Sequence, residues 1–173
     1  MKRIIGVYRN QQMHWVGDGF PVKNLFSYDR LGQAISPFLL LDYNSKYVFP
    51  PSKIPKGVGV HPHKGFETIT LAYHGRVEHG DSSGGGGVIA EGDIQWMTAG
   101  KGVLHKEFHE TEWSKQGGLF QMIQLWVNLP AKYKTVEPKY QALVNKDLQK
   151  FELLDDSGFV EVIAGQYKGT AGI

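Results

Sequence analysis

A pair of histidines directly precedes a strand-like run in the stretch Gly57-Val-Gly-Val-His-Pro-His-Lys-Gly-Phe-Glu-Thr-Ile-Thr-Leu-Ala-Tyr73. Side chains two residues apart in an extended segment point to the same side, so His61 and His63 project together. The run that follows alternates with the same two-residue period, which is typical of a β-strand. One of its faces carries Ile69, Leu71 and Tyr73, and the other carries Thr68, Thr70 and Ala72.

Short strand-like segments recur along the whole chain. Its 22 glycines and 8 prolines separate runs rich in β-branched and aromatic residues, which indicates strands joined by turns. Residues 75–79 are expected to continue the preceding strand after a bend, and one short helix is expected at 137–148, where Pro138 suits a helix start. The pattern predicts an all-β sandwich or small barrel. Further strands are predicted at 88–89, 94–97, 122–128, 151–154 and 159–163, the last two as a hairpin.

Composition excludes several classes of protein. With 173 residues, 41% hydrophobic and 21% charged, the chain can form one well-buried core. A formal net charge of +2 without a block of Lys or Arg argues against direct binding of nucleic acid. The chain has no cysteine, so any metal must have nitrogen and oxygen ligands. No signal peptide or membrane span is evident. We therefore expect a cytoplasmic protein that does not attach to membranes.

Six of the seven histidines lie between positions 61 and 109. The separation of His61 and His63 suits two imidazoles that bind one ion, and Pro62 stiffens the backbone between them. A second pair, His105 and Glu107, repeats the same spacing, with Lys106 on the opposite face. Together the pairs offer three imidazoles and one carboxylate, a set that suits a divalent transition metal with open positions. Two exposed or hydrogen-bonded imidazoles remain the alternative explanation of the first pair.

The carboxylate ligand is open to choice. Glu67 shares the parity of His61 and His63 in a straight strand, but Gly65 permits a bulge that would change its direction. Glu107 needs no such assumption and is favoured, while Glu67 is otherwise a hydrogen-bond acceptor or a support for an imidazole. The remaining histidines lack the paired spacing and are assigned surface or hydrogen-bonding roles, namely His14, His74, His79 and His109.

Four stretches resemble the pirin family of the cupin superfamily over about positions 30 to 165. They are residues 37–42, 61–68, 92–107 and 124–130. The resemblance implies a cupin barrel, a double-stranded β-helix of jelly-roll type, whose metal ligands match His61, His63, His105 and Glu107. In many other cupins the glutamate matching Glu67 is the ligand. The second cupin motif is altered here, with four residues between Gly100 and His105 instead of the usual two.

The resemblance also implies a domain organisation. Pirins generally have two cupin halves, and the second half is missing or incomplete in this chain. We expect an N-terminal cupin barrel with the metal site at 1–133, and a linker with the opening strands of an incomplete second half at 134–173. The chain is then a natural or experimental truncation, or those strands pair with something else. An unpaired strand edge invites association with another copy, which makes a homodimer plausible.

Resemblance to bacterial pirins implies quercetin 2,3-dioxygenase activity, in which a flavonol is cleaved with O₂ and carbon monoxide is released. The expected cofactor is one divalent ion, Fe²⁺ first, with Zn, Mn, Ni, Co or Cu as alternatives. Glu107 is the candidate catalytic base. Aromatic residues that could line a flat substrate pocket are Phe66, Trp96 and Phe108, although core packing explains each taken singly.

Another implied class is a regulatory protein. Some pirins resemble iron-binding redox sensors that act through protein partners without turnover. Oxidation of a bound iron changes its charge by one unit, which could reshape a nearby loop. A third hypothesis is a metal site that is purely structural or vestigial.

Overall fold

A computed structural model describes residues 3–4, 6–9 and 12–172. Nearly all of its regular structure is β-strand, as predicted. The strands are β1 (His14–Val16), β2 (Phe20–Ser27), β3 (Phe38–Phe49), β4 (Gly57–His63), β5 (Phe66–His74), β6 (Val77–Asp81), β7 (Gly86–Ile89), β8 (Ile94–Thr98), β9 (Val103–His109), β10 (Gly118–Asn128), β11 (Lys139–Leu143), β12 (Gln149–Glu152), β13 (Phe159–Val162), β14 (Gln166–Tyr167) and β15 (Thr170–Ala171). Two short helices, α1 (Tyr28–Leu31) and α2 (Thr111–Gln116), accompany 3₁₀ turns at Gly32–Ile35, Ala131–Tyr133, Asn145–Asp147 and Leu154–Asp156.

Two antiparallel sheets form the barrel. The first has seven strands in the order β1-β2-β3-β10-β5-β8-β11, and the second has four in the order β4-β9-β6-β7. Their inner faces meet in a core that joins Val77 and Ile89 of the second sheet to Phe120 and Met122 of the first. The two sheets therefore bury their apolar side chains against each other, which is the packing of a jelly-roll barrel.

The inner face of the first sheet is partly polar. In β5, Thr68 and Thr70 are fully buried, whereas Ile69 and Leu71 point to the outer face and remain half-buried. The outer pair packs in a second cluster with Leu143, Leu148 and other residues of the C-terminal segment. Because that segment covers part of the outer face, the outer face of the strand is partly shielded from water and the inner face fully.

Gly75 marks where the chain passes from the first sheet to the second. Its φ of +88° is unfavourable for other residues, and an added Cβ would lie 2.7 Å from the Phe120 ring. Residues 75–79 were predicted to continue the preceding strand after a bend. The bend is present, but β6 begins at Val77 and pairs with β7 and β9 of the second sheet instead of extending β5. The bend therefore turns the chain onto the opposite wall of the barrel.

The predicted helix at 137–148 is wrong except for a 3₁₀ turn at Asn145–Asp147. Lys139–Leu143 forms β11, which pairs antiparallel with β8 in register from Lys139 to Leu143. Free backbone groups at the edge of β8 supply the hydrogen-bond partners that outweigh the helical signal. The predicted hairpin at 151–163 is confirmed by the pairing of β12 with β13. The division of the chain at residue 133 stays a prediction, and β11 shows that the segment beyond it adds a strand to the barrel sheet.

Among the described residues, none of the helices has the length and apolar character needed to cross a membrane.

Candidate metal centre

Strands β4 and β9 bring three of the predicted residues together. His61 lies opposite His105 in the antiparallel register, and His63 lies opposite Val103. The ring centroids of His61 and His63 are 4.7 Å apart, and those of His61 and His63 lie 5.3 and 5.4 Å from that of His105. One nitrogen from each of the three rings lies within 4.8 Å of the others. This spacing allows all three to reach a common ion at normal ligand distances.

Glu107 occupies an overlapping group one step further along β9. The residue is 4% exposed, and its Oε2 lies 4.0 Å from His105 Nδ1. His79, directly opposite in β6, places Nδ1 3.5 Å from Glu107 Oε1. His79, His105 and Glu107 offer ligand atoms within 4.8 Å of one another. His105 thus belongs both to this group and to the group of three histidines.

Glu67 lies outside both groups. It belongs to the outer face of β5, opposite in parity to the buried Thr68 and Thr70, and its Oε1 accepts a hydrogen bond of 2.6 Å from Thr98 Oγ1. Thr70 contacts Gln124, which in turn contacts Glu107, so the inner face of β5 is the one directed at the candidate centre. The geometry therefore favours Glu107 over Glu67 as the candidate carboxylate.

Burial and neighbouring side chains together set the charge states of the candidate ligands. Desolvation, assisted by the neighbouring His61 and His105, lowers the pKa of His63 to about 4, and desolvation also lowers the pKa of His105. For Glu107, burial raises the pKa, but the facing His79 and His105 and the Gln124 amide outweigh it and bring the pKa down to about 2. Neutral imidazoles beside an ionised carboxylate are the forms that bind a metal cation.

The hydrogen-bonding pattern is consistent with a bound cation. Among the described residues, both ring nitrogens of the buried His105 lack hydrogen-bond partners, although such buried groups are normally paired. The Nδ1 of His61 lies 2.7 Å from the carbonyl oxygen of Gly59, which orients the ring and leaves Nε2 free. Three imidazoles and a carboxylate without cysteine suit a borderline divalent ion such as iron, nickel or zinc. The residues present therefore fit a metal site.

An aromatic wall stands beside His63. The rings of Phe66 and Trp126 stack with centroids 4.5 Å apart, and they lie 5.1 and 5.3 Å from the His63 ring. The prediction that Phe66 could line the site agrees with this placement. Trp96 instead packs in the outer cluster with Ile94, and Phe108 points with Lys106 to the outer face of the second sheet, so neither faces the histidines.

Sequence reasoning missed three residues beside the centre. His79 had been assigned a surface or hydrogen-bonding role, yet it is 5% exposed, its ring stacks at 9° on that of His105, and it lies among the candidate ligands. Gln124 and Trp126 alternate with Ile123, Leu125 and Val127 in the strand predicted at 122–128, and no role at the site was predicted for them. That alternation was the available signal, because it placed both on one face of β10.

A cupin-type barrel with histidines converging on its inner face is thus the class of protein defined by the fold and the site. The pirin family model matches residues 19–127. This chain belongs to the pirin family, as the motifs predicted.

The relatives agree with that assignment. A Pseudomonas aeruginosa protein named "Putative quercetin 2,3-dioxygenase" is 54% identical over 167 residues, 96% of this chain and 58% of the relative. A "Pirin-like protein" of Solanum lycopersicum is 37% identical over 98% of this chain and 52% of its own length. A crystal structure of a quercetin 2,3-dioxygenase from Acinetobacter baumannii is 60% identical, with a TM-score of 0.96 over 99% of this chain and 60% of that one. The chain spans between about half and three fifths of these proteins.

Proposed function

We propose that this chain carries the metal centre of a dioxygenase that cleaves a flavonol with O₂ and releases carbon monoxide. The observation that carries the proposal is the convergence of His61, His63 and His105 next to Glu107 on the inner face of the barrel. The kinship with proteins named quercetin 2,3-dioxygenase supports the choice of substrate. Each flavonol would consume one O₂ and release one CO.

The candidate ligands would be His61, His63, His105 and Glu107, with one divalent ion. We propose Fe²⁺ as that ion, with Zn²⁺, Mn²⁺, Ni²⁺, Co²⁺ and Cu²⁺ as alternatives, because the donor set suits all of them. A bound ion would lower the pKa of the flavonol hydroxyl, so that the substrate becomes an electron-rich anion. The depressed pKa of His63 keeps its imidazole neutral and able to bind at neutral pH.

Glu107 is the proposed base. Its carboxylate is ionised at neutral pH, buried, and adjacent to His105, so it can accept the proton of a hydroxyl group placed at the centre. The stacked rings of Phe66 and Trp126 would form one wall for a flat aromatic substrate and exclude water from that side of His63. The chain's own residues would thus orient the substrate and receive its proton.

An oxygen-electrode assay with quercetin and parallel detection of carbon monoxide tests the proposal. Protein loaded separately with each of Fe²⁺, Mn²⁺, Ni²⁺, Co²⁺ and Cu²⁺ should show turnover with at least one ion, with equal consumption of O₂ and release of CO. His105→Ala should abolish it. His74→Ala is the matched control, because His74 is a partly exposed histidine that contacts Glu91 instead of the centre. Absence of turnover with all these ions would overturn the dioxygenase proposal.

A metal-retaining protein without turnover would favour the alternative, an iron-binding, redox-sensing regulator that acts through protein partners. Under either function we expect no direct contact with nucleic acid or membrane and a cytoplasmic location. The homodimer also stays a prediction. Metal analysis of protein purified without added ions, combined with sedimentation analysis, would test the ion and the oligomeric state.

A further inference from the structure

We infer that Gln124 is a positioning residue that holds the Glu107 carboxylate toward the metal centre, with Trp126 setting the orientation of the Gln124 amide. The inference rests on the proposed role of Glu107 as a ligand and base. Gln124 would hold the carboxylate from the first sheet, whereas the candidate ligands all lie on the second sheet.

Both the nitrogen and the oxygen of the Gln124 amide form hydrogen bonds. Its Nε2 donates to Oε1 and Oε2 of Glu107 at 3.0 and 3.2 Å and to Thr70 Oγ1 at 3.1 Å. Its Oε1 accepts a hydrogen bond of 2.9 Å from Trp126 Nε1. An amide nitrogen has two hydrogens for these three acceptors, so Glu107 shares one N–H between its two oxygens. The carboxylate keeps further lone pairs that can bind a cation or a proton, and His79 Nδ1 lies 3.5 Å from its Oε1.

The direction of the amide follows from the chemistry of its neighbours. An indole Nε1–H can only donate, and an ionised carboxylate can only accept. The opposite orientation would place the amide NH₂ against the Trp126 N–H and the amide oxygen against Glu107, a double mismatch. Trp126 therefore selects the orientation in which Gln124 donates to Glu107.

The position of Gln124 in the fold suits a support. It lies on β10, which is paired on both sides, opposite Thr70 of β5 and Asp42 of β3. His61, His63, His105 and Glu107 all come from β4 and β9 of the second sheet. The Gln124–Glu107 hydrogen bond thus crosses the barrel between two walls, and a residue on a central strand has little freedom to follow a displaced carboxylate.

The arrangement also links two candidate ligands. Trp126 orients Gln124 through its Nε1 and, through its ring, contacts His63 at a centroid distance of 5.3 Å. A change at Trp126 should therefore affect both the histidine side and the carboxylate side of the centre. Supports of this kind are typically worth 10- to 100-fold in metal affinity.

The test measures Co²⁺ binding to protein that has been freed of metal with a chelator. Gln124→Met keeps the size of the side chain but removes its hydrogen bonds, and we expect Co²⁺ affinity to fall by roughly 10- to 100-fold. The visible absorption bands of bound Co²⁺ should shift, because they report the ligand field. Trp126→Phe should give a smaller change in the same direction.

Gln121→Met is the matched control. Gln121 lies on the same strand and also uses its Nε2 in a side-chain hydrogen bond, to the Tyr43 hydroxyl at 2.8 Å, away from the centre. It should leave the Co²⁺ affinity and spectrum at wild-type values. Thermal unfolding of each variant, followed by circular dichroism, verifies that the Gln124→Met protein is folded when Co²⁺ is added.

The outcomes separate the inference from the proposed function. Wild-type affinity and spectrum in Gln124→Met, or equal losses in Gln124→Met and Gln121→Met, would overturn the positioning role alone. Failure of wild-type protein to bind Co²⁺, or binding that survives His105→Ala, would remove the proposed centre and the inference with it. A selective loss in Gln124→Met, without turnover in any metal form, would support the positioning role while rejecting the dioxygenase.

Discussion

Two histidines on strand β9 are equally buried, but they differ in their hydrogen bonds and in the kind of side chain around them. His105 and His109 are four residues apart on the same inner face, and each is 1% exposed. His109 Nε2 lies 3.0 Å from the carbonyl oxygen of Gly19, and its ring lies 4.5 to 5.0 Å from those of Phe49, Phe120 and Trp113. Neither ring nitrogen of His105 has a hydrogen-bond partner within the described part of the chain, and the ring stands among imidazoles and a carboxylate.

The difference teaches that burial does not by itself mark a functional histidine. Desolvation lowers the pKa of both side chains, so the direction of the pKa shift does not separate them either. They differ in whether the protein satisfies the ring nitrogens. One end of the barrel is an aromatic core that uses its histidine for packing, and the other end leaves nitrogens available for a ligand.

The largest effect expected is the loss of metal binding in His105→Ala. Affinity for Co²⁺ should fall by more than about 100-fold, since changes at residues that only support ligands already cost 10- to 100-fold. His109→Ala should retain the wild-type affinity if the protein is folded. Isothermal titration calorimetry of both variants measures this, and equal losses would erase the distinction between the two ends of the barrel.

The loss of unfolding free energy should be larger in His109→Ala than in His105→Ala, the reverse of the order expected for metal binding. His109→Ala removes a ring from the aromatic cluster and leaves the Gly19 carbonyl without its donor, and it should cost roughly 3 kcal/mol of unfolding free energy. His105→Ala in metal-free protein should cost less than half as much, because no hydrogen bond is lost. Urea unfolding followed by tryptophan fluorescence provides the comparison, and a larger cost for His105→Ala would contradict it.

The dependence of stability on pH sharpens the same contrast. Burial lowers the pKa of His109 from 6.5 to about 4, against the opposing contact with Gly19. Between these values the unfolded chain binds more protons than the folded chain, so stability should fall as the pH decreases from 6.5 toward 4. His109→Phe removes this contribution, which amounts to at most about 3 kcal/mol over the interval.

Urea titrations of metal-free protein at several pH values measure that slope. The His109→Phe variant should lose less stability than the wild type on acidification. Above pH 7 the stability of the two proteins should depend on pH in the same way. His63, whose pKa is also lowered to about 4, contributes to both proteins and cancels in the comparison. Parallel pH curves for the two proteins would contradict the account of His109.

The smallest effect is expected at Glu67. Glu67→Gln keeps an acceptor for Thr98 Oγ1 and changes no group at the candidate centre, so metal affinity should stay within about twofold of wild type and stability within about 1 kcal/mol. Glu107→Gln should weaken metal binding much more. Calorimetric titration of both variants with Co²⁺ compares their metal affinities. A greater loss of affinity in Glu67→Gln than in Glu107→Gln would restore Glu67 as the carboxylate ligand.

Much of the fold and part of the site could be predicted from local pattern. The alternation in β5 and β10, the spacing of His61 and His63, and the spacing of His105 and Glu107 all follow from the two-residue period of a strand, which depends on backbone geometry. The pirin motifs added the barrel architecture and the set of candidate metal ligands. The short β11 was mistaken for a helix, because its pairing with β8 depends on residues some forty positions earlier in the chain.

The sequence by itself determined which side chains share a strand face, because the pleat of a strand is local. Only the tertiary structure decided that the face with Thr70, and not the face with Leu71, lies inside the barrel. The C-terminal segment packs on the apolar outer face and partly shields it from water, so polarity does not distinguish inside from outside. The same packing placed His79 and Gln124 against Glu107, a meeting of distant strands that no local spacing encodes.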